Sequence, residues 1–287
     1  MTRPYFPQEF NYNINGLVLR LPVGHRLPFY QAKFPKYDKF LPFIAKRLTG
    51  GDAVIDIGAN CGDTLASLVP QGPELKYYSV EPSDNYFKYL ESNIETIRKS
   101  FPLVSITSTQ CLVGGSGGRY TMAEKDGTAT AVKIDNKEVQ TVNGHNLLTK
   151  TSFDVLLKSV NVNSKLRLLK TDTDGSDWDV IDSGLEIIKE TKPMIFFECD
   201  PQDDKDFSSY QSTFKSLFSL GYSRFYIFDN YGEYILSLQE LNGLVDFMRY
   251  CFKQTKRTIF YIDIMASIPV DAPLIEAAIN EYNQTKF

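Results

Sequence analysis

The stretch AVIDIGANCGDT, Ala53 to Thr64, decides the fold predicted for this chain. An apolar strand runs directly into a turn that contains Gly58 and Gly62, and Asp63 then stands at the start of a helix. Since glycine has no Cβ, such a turn lets backbone N–H groups approach a ligand at the helix N-terminus. The stretch therefore predicts that a nucleotide-like ligand binds where the first central strand ends.

The residues around the two glycines separate two classes of nucleotide-like ligand. Dinucleotide binders use the pattern G-x-G-x-x-G, but here Asn60 stands at the middle glycine and Asp63 at the last. Asp56 and Asp63 would also repel a pyrophosphate, whereas they attract the sulfonium and ammonium groups of S-adenosylmethionine. The next strand runs into Glu81, 23 residues after Gly58, where a carboxylate can accept hydrogen bonds from ribose hydroxyls. The pattern favours S-adenosylmethionine, and the structural alternative is that Asp56 and Glu81 merely cap the turn and the following helix.

Strand and helix signals alternate along the middle of the chain, which is typical of a parallel sheet covered by helices. The helix after the second strand is the clearest, because Ser83 can cap it and Phe87, Leu90, Ile94 and Ile97 form one apolar stripe. The predicted strands are Ala53 to Ile57, Lys76 to Val80, Val104 to Val113, Leu166 to Thr171 and Met194 to Phe197. Towards the C-terminus the pattern predicts a helix, a strand RFYIFDN, a hairpin, a second helix and a strand IFYIDIMA.

A second group of charged residues follows the fourth strand, in LLKTDTDGSDWDV. Strand alternation places Lys170 and Asp172 on one face, with Asp174 in the turn just beyond. In open α/β sheets ligands bind outside the carboxyl ends of the strands, so Asp172 is expected to converge there with Asp56, Glu81 and Glu198. For Asp177 and Asp179 we expect instead a solvated acidic turn, with Ser176 capping a helix whose dipole they complement.

The sequence resembles the FkbM-type family of S-adenosylmethionine-dependent methyltransferases from about Val54 to Asp200. The segments VIDIGANCGDT, VEPSDNYFKYLESNI, CLVGGSGG, LLKTDTDGSDWDVIDSG and KPMIFFECD occur in the order of the family. Where the family pattern reads K-I-D-x-E-G-x-E, this chain has aspartate at Asp174 and Asp177, which shortens both carboxylate side chains. The carboxylates at these two positions therefore reach about one methylene less far than those of the family pattern.

The resemblance implies a Rossmann-like class I methyltransferase fold. This α/β fold has a mostly parallel seven-stranded sheet with an antiparallel C-terminal strand and helices on both faces. Residues 1–50 would form an N-terminal cap, and residues 51–287 the methyltransferase domain. The resemblance also implies binding of S-adenosyl-L-methionine by Asp56, Gly58, Ala59, Asn60, Gly62, Asp63, Glu81, Pro82, Leu112 and Val113.

Members of the family generally methylate hydroxyls of sugars, polysaccharides or secondary metabolites, so the resemblance implies an O-methyltransferase with a small-molecule or glycan acceptor. Asp172 is the expected base or substrate orienter, assisted by Lys170, with Asp174 nearby. Mg²⁺ held by Asp172, Asp174, Glu198 and Asp200 is the less favoured alternative. His25 and His145 are expected to be surface or packing residues rather than bases.

Composition excludes several functional classes. The net charge of −4 gives no electrostatic basis for non-specific nucleic-acid or anionic-membrane binding. No apolar run approaches the roughly 20 residues of a membrane span, and the N-terminus does not resemble a signal peptide, so a cytoplasmic protein is expected. Cys61, Cys111, Cys199 and Cys251 are far apart and are predicted to be reduced, buried thiols.

Two other functional classes compete with a methyltransferase. A catalytically silent module would keep the fold and perhaps the cofactor. In such a module we would expect either the set Asp56, Gly58 and Glu81 or the pair Lys170 and Asp172 to be lost, but both are intact. A nicotinamide-dependent oxidoreductase is disfavoured by Asn60 and Asp63. The sequence does not determine the acceptor, the methylated position or the oligomeric state.

Overall fold

The computed structural model of the chain describes residues 9–134, 141–142, 145–160, 162 and 165–287. Its strands are β1 Glu9–Ile14, β2 Leu17–Pro22, β3 Ala53–Ile57, β4 Lys76–Val80, β5 Ser105–Thr109, β6 Arg119–Lys125, β7 Thr128–Ile134, β8 Thr141–Val142, β9 His145–Asn146, β10 Leu166–Thr171, β11 Met194–Cys199, β12 Arg224–Asp229, β13 Tyr234–Leu238 and β14 Ile262–Ser267. The helices are α1 Leu27–Lys33, α2 Leu41–Ala45, α3 Asp63–Leu68, α4 Asp84–Ser100, α5 Phe153–Ser159, α6 Asp177–Asp182, α7 Leu185–Thr191, α8 Asp204–Ser219, α9 Leu241–Phe252 and α10 Ala272–Gln284.

Eight strands form the central sheet, in the order β13-β12-β14-β11-β10-β3-β4-β5. The pairs from β5 to β11 are parallel, and the pairs that join β11, β14, β12 and β13 are antiparallel. This arrangement confirms the predicted class I methyltransferase fold. The sheet has one strand more than expected, because the hairpin after β12 returns along the sheet edge as β13.

Strand β3 lies near the middle of this sheet, and all five of its residues are buried. Burial on both faces explains why its sequence is nearly continuously apolar rather than alternating. Asp56 is the exception, with 4 % of its surface exposed. A buried carboxylate in such a strand is costly unless a partner compensates its charge.

Helix α4 begins where the sequence predicts. The Ser83 hydroxyl accepts hydrogen bonds from the backbone N–H groups of Asn85 and Tyr86 and so caps the helix. The predicted stripe faces inward, with Leu90, Ile94 and Ile97 buried in the core. The helix thereby covers one face of the sheet beside the glycine turn.

The N-terminal hairpin β1–β2 packs on helix α4. The buried Asn93 side chain accepts a hydrogen bond from the backbone N–H of Arg20 and donates to its carbonyl oxygen, at 2.8 and 2.9 Å. It also donates to the Cys61 carbonyl oxygen at 2.8 Å. Leu19 belongs to the same hydrophobic core as the sheet, so residues 9–50 pack as part of one body with the rest of the fold.

A long hairpin, β6–β7, rises from the loop after β5, in a region for which the sequence predicts no element. Its turn at Asp126 and Gly127 reaches the glycine turn and the segment before α1. Within the residues described above, no helix is both long and apolar enough to cross a membrane.

Candidate functional site

The glycine turn after β3 is built mainly by packing between neighbouring loops. Gly58 has φ of 83°, and its N–H donates to the Val80 carbonyl oxygen at 2.9 Å. A Cβ on Gly58 would lie 1.9 Å from the carbonyl oxygen of Asp172. The sequence predicts that Gly58 allows close approach of a ligand, but the backbone of Asp172 fills the space where its Cβ would lie.

Lys170 lies between two carboxylates at the floor of the site. Its Nζ is 2.9 Å from Asp56 Oδ1 and 3.3 Å from Asp172 Oδ2. Strands β3 and β10 are in register at Asp56 and Lys170, so the pair is set by the sheet itself. Burial lowers the pKa of Lys170, but the charges of Asp56 and Asp172 outweigh it and hold the pKa well above its usual range. The side chain of Asp172 is 47 % exposed, whereas Asp56 is buried behind the lysine, with Oδ2 lacking a partner in the described residues.

Glu81 binds the backbone of the two adjoining loops. Its carboxylate accepts hydrogen bonds from the Asn60 N–H at 2.9 Å and the Ser83 N–H at 2.8 Å. Burial raises the pKa of Glu81 to about 7, and these hydrogen bonds only partly oppose the rise. Glu81 therefore holds the glycine turn against the start of α4. This role is close to the alternative in which Glu81 only caps the helix that follows it.

A small cavity of about 40 Å³ adjoins Glu81. It is lined by the predicted cofactor residues Pro82, Leu112 and Val113. Met122 and Ala129 of the β6–β7 hairpin cover it from the other side. The structure thus brings these predicted residues together, although Ala59 and Gly62 are buried and line neither this cavity nor the larger one.

A larger cavity of about 610 Å³ opens at the carboxyl ends of the parallel strands, and we call it the main cavity. It shares Gly58, Asn60, Asp172 and Asp174 with the small cavity. Of the other predicted or considered residues, it contains Asp63, Lys170, Glu198 and His25. The main cavity therefore combines the two charged groups that the sequence predicts to converge.

Three acidic residues of the main cavity are missing from the sequence prediction, namely Asp38 before α2, Asp126 at the tip of the β6–β7 hairpin and Asp263 in β14. Asp263 is the register partner of Glu198 across β11 and β14. A charged residue in the middle of the apolar strand IFYIDIMA was a usable signal, because a strand buried on both faces rarely contains one. Asp38 carried no comparable signal, since it lies in a polar loop.

Carboxyl groups in the main cavity have raised pKa values because of burial and mutual repulsion. Burial and the neighbouring Asp172 raise the pKa of Asp38 to about 8. The same causes raise the pKa of Asp174 to about 6. The pKa values of Glu198 and Asp263 also lie well above the usual range, with burial as the first cause. Such concentrated perturbation is typical of functional sites.

Backbone strain is concentrated around the same cavity. Six non-glycine residues in the described part of the chain have positive φ, and four of them line the main cavity. These four are Asp38, Asn60, Asp126 and Asp174, with φ between 48° and 57°. Residues in this region cost on the order of 1 kcal/mol each, and they often occur at ligand sites.

The turn after β10 differs from its predicted role. Asp177 is fully buried and accepts hydrogen bonds from the Thr171 and Thr173 hydroxyls at 2.9 and 3.1 Å. Asp179 is also buried and pairs with Lys150 at 2.8 Å. The predicted solvated acidic turn is therefore wrong, because both carboxylates hold loops in place. Ser176 precedes α6 but makes no capping hydrogen bond through its side chain.

His25 enters the main cavity from the cap and connects three segments. Its Nδ1 accepts from the Leu27 N–H at 3.3 Å, so Nε2 carries the proton and donates to Asn60 Oδ1 at 3.2 Å. Asn60 Nδ2 in turn donates to the Gly127 carbonyl oxygen at 2.7 Å. The glycine turn, the cap and the tip of β6–β7 are therefore joined beside the predicted cofactor residues. His145 lies in β9, where it pairs with Val142 of β8, and the expectation for its side chain falls outside the described residues.

Metal ligation has no structural support in the part of the chain that is described. No group of three or more His, Cys, Asp or Glu side chains there is arranged to hold a metal ion. Asp200, one of the four residues considered for Mg²⁺, does not line the main cavity and bonds to Gln202. The four cysteines are free, and Cys111 is only partly buried.

Known structures and families resemble the chain to different degrees. An FkbM methyltransferase from Methylobacillus flagellatus aligns with 83 % of this chain and 50 % of its own, at 14 % identity and a TM-score of 0.43. The M. jannaschii TYW2 protein, solved in complex with AdoMet, aligns with 93 % of this chain and 90 % of its own, at 11 % identity and a TM-score of 0.43. An S-adenosylmethionine-dependent O-methyltransferase from Thermotoga maritima aligns with 80 % of this chain and 64 % of its own, at 15 % identity and a TM-score of 0.40.

No curated protein sequence matches the chain significantly. The family model of the methyltransferase FkbM domain matches residues 56–224, which is more than half of the chain. This match spans the glycine turn, Glu81 and the Lys170–Asp172 group, the same residues that meet at the two cavities. The chain therefore belongs to the FkbM family of methyltransferases.

Proposed function

We propose that this protein transfers the methyl group of S-adenosylmethionine to a hydroxyl group of a sugar, polysaccharide or related metabolite. Family membership supports the methyl donor, and the main cavity supports the acceptor. The observation that carries the proposal is the exposed carboxylate of Asp172 held 3.3 Å from the buried ammonium of Lys170. A proton acceptor and a fixed positive charge then face one cavity.

The charges of the residues that line the two cavities are complementary to those of S-adenosylmethionine. Asp63 lines the main cavity at the start of α3, where a cationic amino-acid group would find a carboxylate. Glu81 lines the small cavity and keeps free lone pairs on both carboxylate oxygens for ribose hydroxyls. Asp56 would act through Lys170 instead, because it is covered by that side chain. When bound, S-adenosylmethionine supplies an electrophilic methyl group.

Lys170 and Asp172 have distinct parts in the proposed reaction. A sugar hydroxyl is a weak nucleophile, so Asp172 accepts its proton or orients it as the new bond forms. Lys170 stabilises negative charge that develops on the acceptor oxygen, and Asp56 fixes the lysine for this task. Asp174 lies at the junction of the two cavities and contributes to positioning.

Aromatic rings at the main cavity support a sugar acceptor. Phe34 and Tyr231 stack with ring centroids 3.9 Å apart, and Tyr30 stacks on Tyr37 at 5.2 Å. All four residues line the cavity. Aromatic faces beside hydrogen-bonding carboxylates are well suited to a ring that is apolar on its faces and polar at its edge.

The test separates the donor from the acceptor. Calorimetry with S-adenosylhomocysteine and, in parallel, with NAD measures which cofactor binds, and we expect heat only with the former. Transfer of a labelled methyl group to a panel of glycans and secondary metabolites then measures activity. Binding of NAD alone would contradict the proposal, and cofactor binding without transfer to any acceptor would identify a silent binding module.

We further propose that the protein acts in the cytoplasm in polysaccharide biosynthesis, without a nucleic-acid partner and without Mg²⁺. Activity that survives exhaustive EDTA treatment would confirm the last of these.

A further inference from the structure

The acceptor side of the main cavity contains three carboxyl groups that no cationic side chain of the described residues pairs with. Asp38, Glu198 and Asp263 all line it, and none has a hydrogen bond or an ion pair from its carboxylate among the described residues. Lys170, the buried cation of this cavity, is already shared by Asp56 and Asp172. The raised pKa values of these three groups mean that they keep their protons when nothing is bound, and a cationic ligand would favour their ionised form.

Glu198 and Asp263 lie away from the predicted cofactor residues, whereas Asp38 is near enough to Asp63 for the charge of Asp63 to raise its pKa. Strand β11 is two positions from β3 in the sheet, and β14 is three positions away. With neighbouring strands about 4.8 Å apart, Glu198 and Asp263 are displaced by roughly 10 and 14 Å from the glycine turn. The positive charge of the methyl donor, held near Asp63, would therefore leave them uncompensated.

The remaining walls are suited to an organic cation rather than to a metal ion. Tyr37 and Tyr261 line the cavity beside Asp38 and Asp263, and aromatic faces attract ammonium groups. Among the described residues no three acidic or imidazole groups are placed to ligate one metal ion. The carboxylates are thus spread over a wall that a larger molecule with several donors can contact.

We propose that the acceptor carries a protonated amino group, as an amino sugar does, and that Glu198, Asp263 and Asp38 bind this group while a hydroxyl is presented to Asp172. This inference rests on the proposed function, whose methyl donor is tested separately. The same wall disfavours uronic acids and phosphorylated sugars, because their charges would be repelled. Seven Asp or Glu side chains line the cavity, against three Lys or Arg side chains.

The test uses the unmodified protein saturated with S-adenosylhomocysteine, after calorimetry has established that this product binds. Chitosan oligomers, the matching N-acetylated chitin oligomers and oligogalacturonates are compared as acceptor ligands at pH 6, where most of the chitosan amino groups are protonated. We expect the amino form to bind at least about tenfold more tightly than the N-acetyl form, since hydrogen bonds to charged groups contribute more than neutral ones. We expect no binding of oligogalacturonates. Equal affinities, a preference for neutral or anionic oligomers, or no binding of the amino form would overturn the inference.

Isosteric variants connect the preference to the named residues. Glu198→Gln and Asp263→Asn should each reduce the amino-form preference several-fold and leave binding of S-adenosylhomocysteine unchanged. Asp246→Asn, an exposed carboxylate on α9 outside the main cavity, is the matched control and should keep the preference. Thermal unfolding with S-adenosylhomocysteine shows whether each variant is folded. An unchanged preference in both folded cavity variants would also overturn the inference, whereas failure to bind the product would count against the proposed function.

Discussion

At the scale of single residues, the contact of Lys170 with two carboxylates gives each partner a different role. Asp172 is exposed to the main cavity, while Asp56 is enclosed behind the lysine. The sequence treats Asp56 as a direct cofactor ligand, and the structure instead makes it the anchor of the lysine. Substitutions of the three residues are therefore expected to have separable effects.

Asp172→Asn should reduce turnover at least about a hundredfold, because amide nitrogen and oxygen cannot accept the acceptor proton. Binding of S-adenosylhomocysteine should change little, since the exposed side chain faces the acceptor. Steady-state kinetics and calorimetry on the same preparation measure both quantities. Full activity of the variant would remove Asp172 from the proposed mechanism.

Lys170→Met should lower the free energy of unfolding by about 3 kcal/mol, because Asp56 would be left buried without its cation. Asp56→Asn in the same chain should restore much of that loss, since no buried charge then remains. Urea denaturation of the two single variants and the double variant measures the coupling. Additive effects in this cycle would contradict a direct dependence of Asp56 on Lys170.

At the scale of elements, the β6–β7 hairpin controls the space beside Glu81. Glu124 of the hairpin accepts hydrogen bonds from Ser83 and Asn85 at the start of α4, and Asp126 pairs with Arg26 at 2.9 Å. The cavity left beneath is about 40 Å³, well below the 300 Å³ or more that is usual for ligand pockets. We therefore expect that a nucleoside can reach Glu81 only when the hairpin moves outward.

Glu124→Ala combined with Arg26→Ala should remove the contacts that hold the hairpin to α4 and to the segment before α1. The protein should stay folded, because both charged side chains are largely exposed. We expect faster amide hydrogen exchange in residues 119–134 and faster association of S-adenosylhomocysteine in stopped-flow measurements. Lys125→Ala is the neighbouring control, since its side chain makes no hydrogen bond or ion pair in the described structure. Unchanged exchange and association in the double variant would show that these contacts do not hold the hairpin.

At the scale of the whole molecule, buried carboxyl groups make stability depend on pH. Burial raises the pKa of Glu81 and of Asp177 to about 7 in the folded protein. Between about pH 4 and pH 7 the folded state then binds more protons than the unfolded state. The free energy of unfolding should therefore fall as the pH rises through this range.

Urea denaturation at intervals from pH 4.5 to pH 8 measures this slope. Asp177→Asn should make the slope shallower, because it removes one group that holds its proton in the folded state at a pH where the unfolded state has lost it. The hydroxyl partners of Asp177 can reorient towards an amide. The exposed Asp246→Asn variant should follow the wild-type slope. A free energy of unfolding that rises from pH 5 to pH 7 would contradict the expected dependence.

Local patterns in the sequence were sufficient for the strand–turn–helix at Ala53 to Thr64, the cap of α4 and the class of fold, because these depend on apolar periodicity and on neighbours along the chain. Tertiary structure alone decided which charged residues meet. The partnership of Asp56 with Lys170 depends on strand register, and the arrival of Asp38 and Asp263 at the main cavity depends on sheet order and on the docking of the cap. The burial of Asp177 could not be predicted from the sequence either, because a carboxylate in a polar turn is exposed or buried according to which segments pack over it.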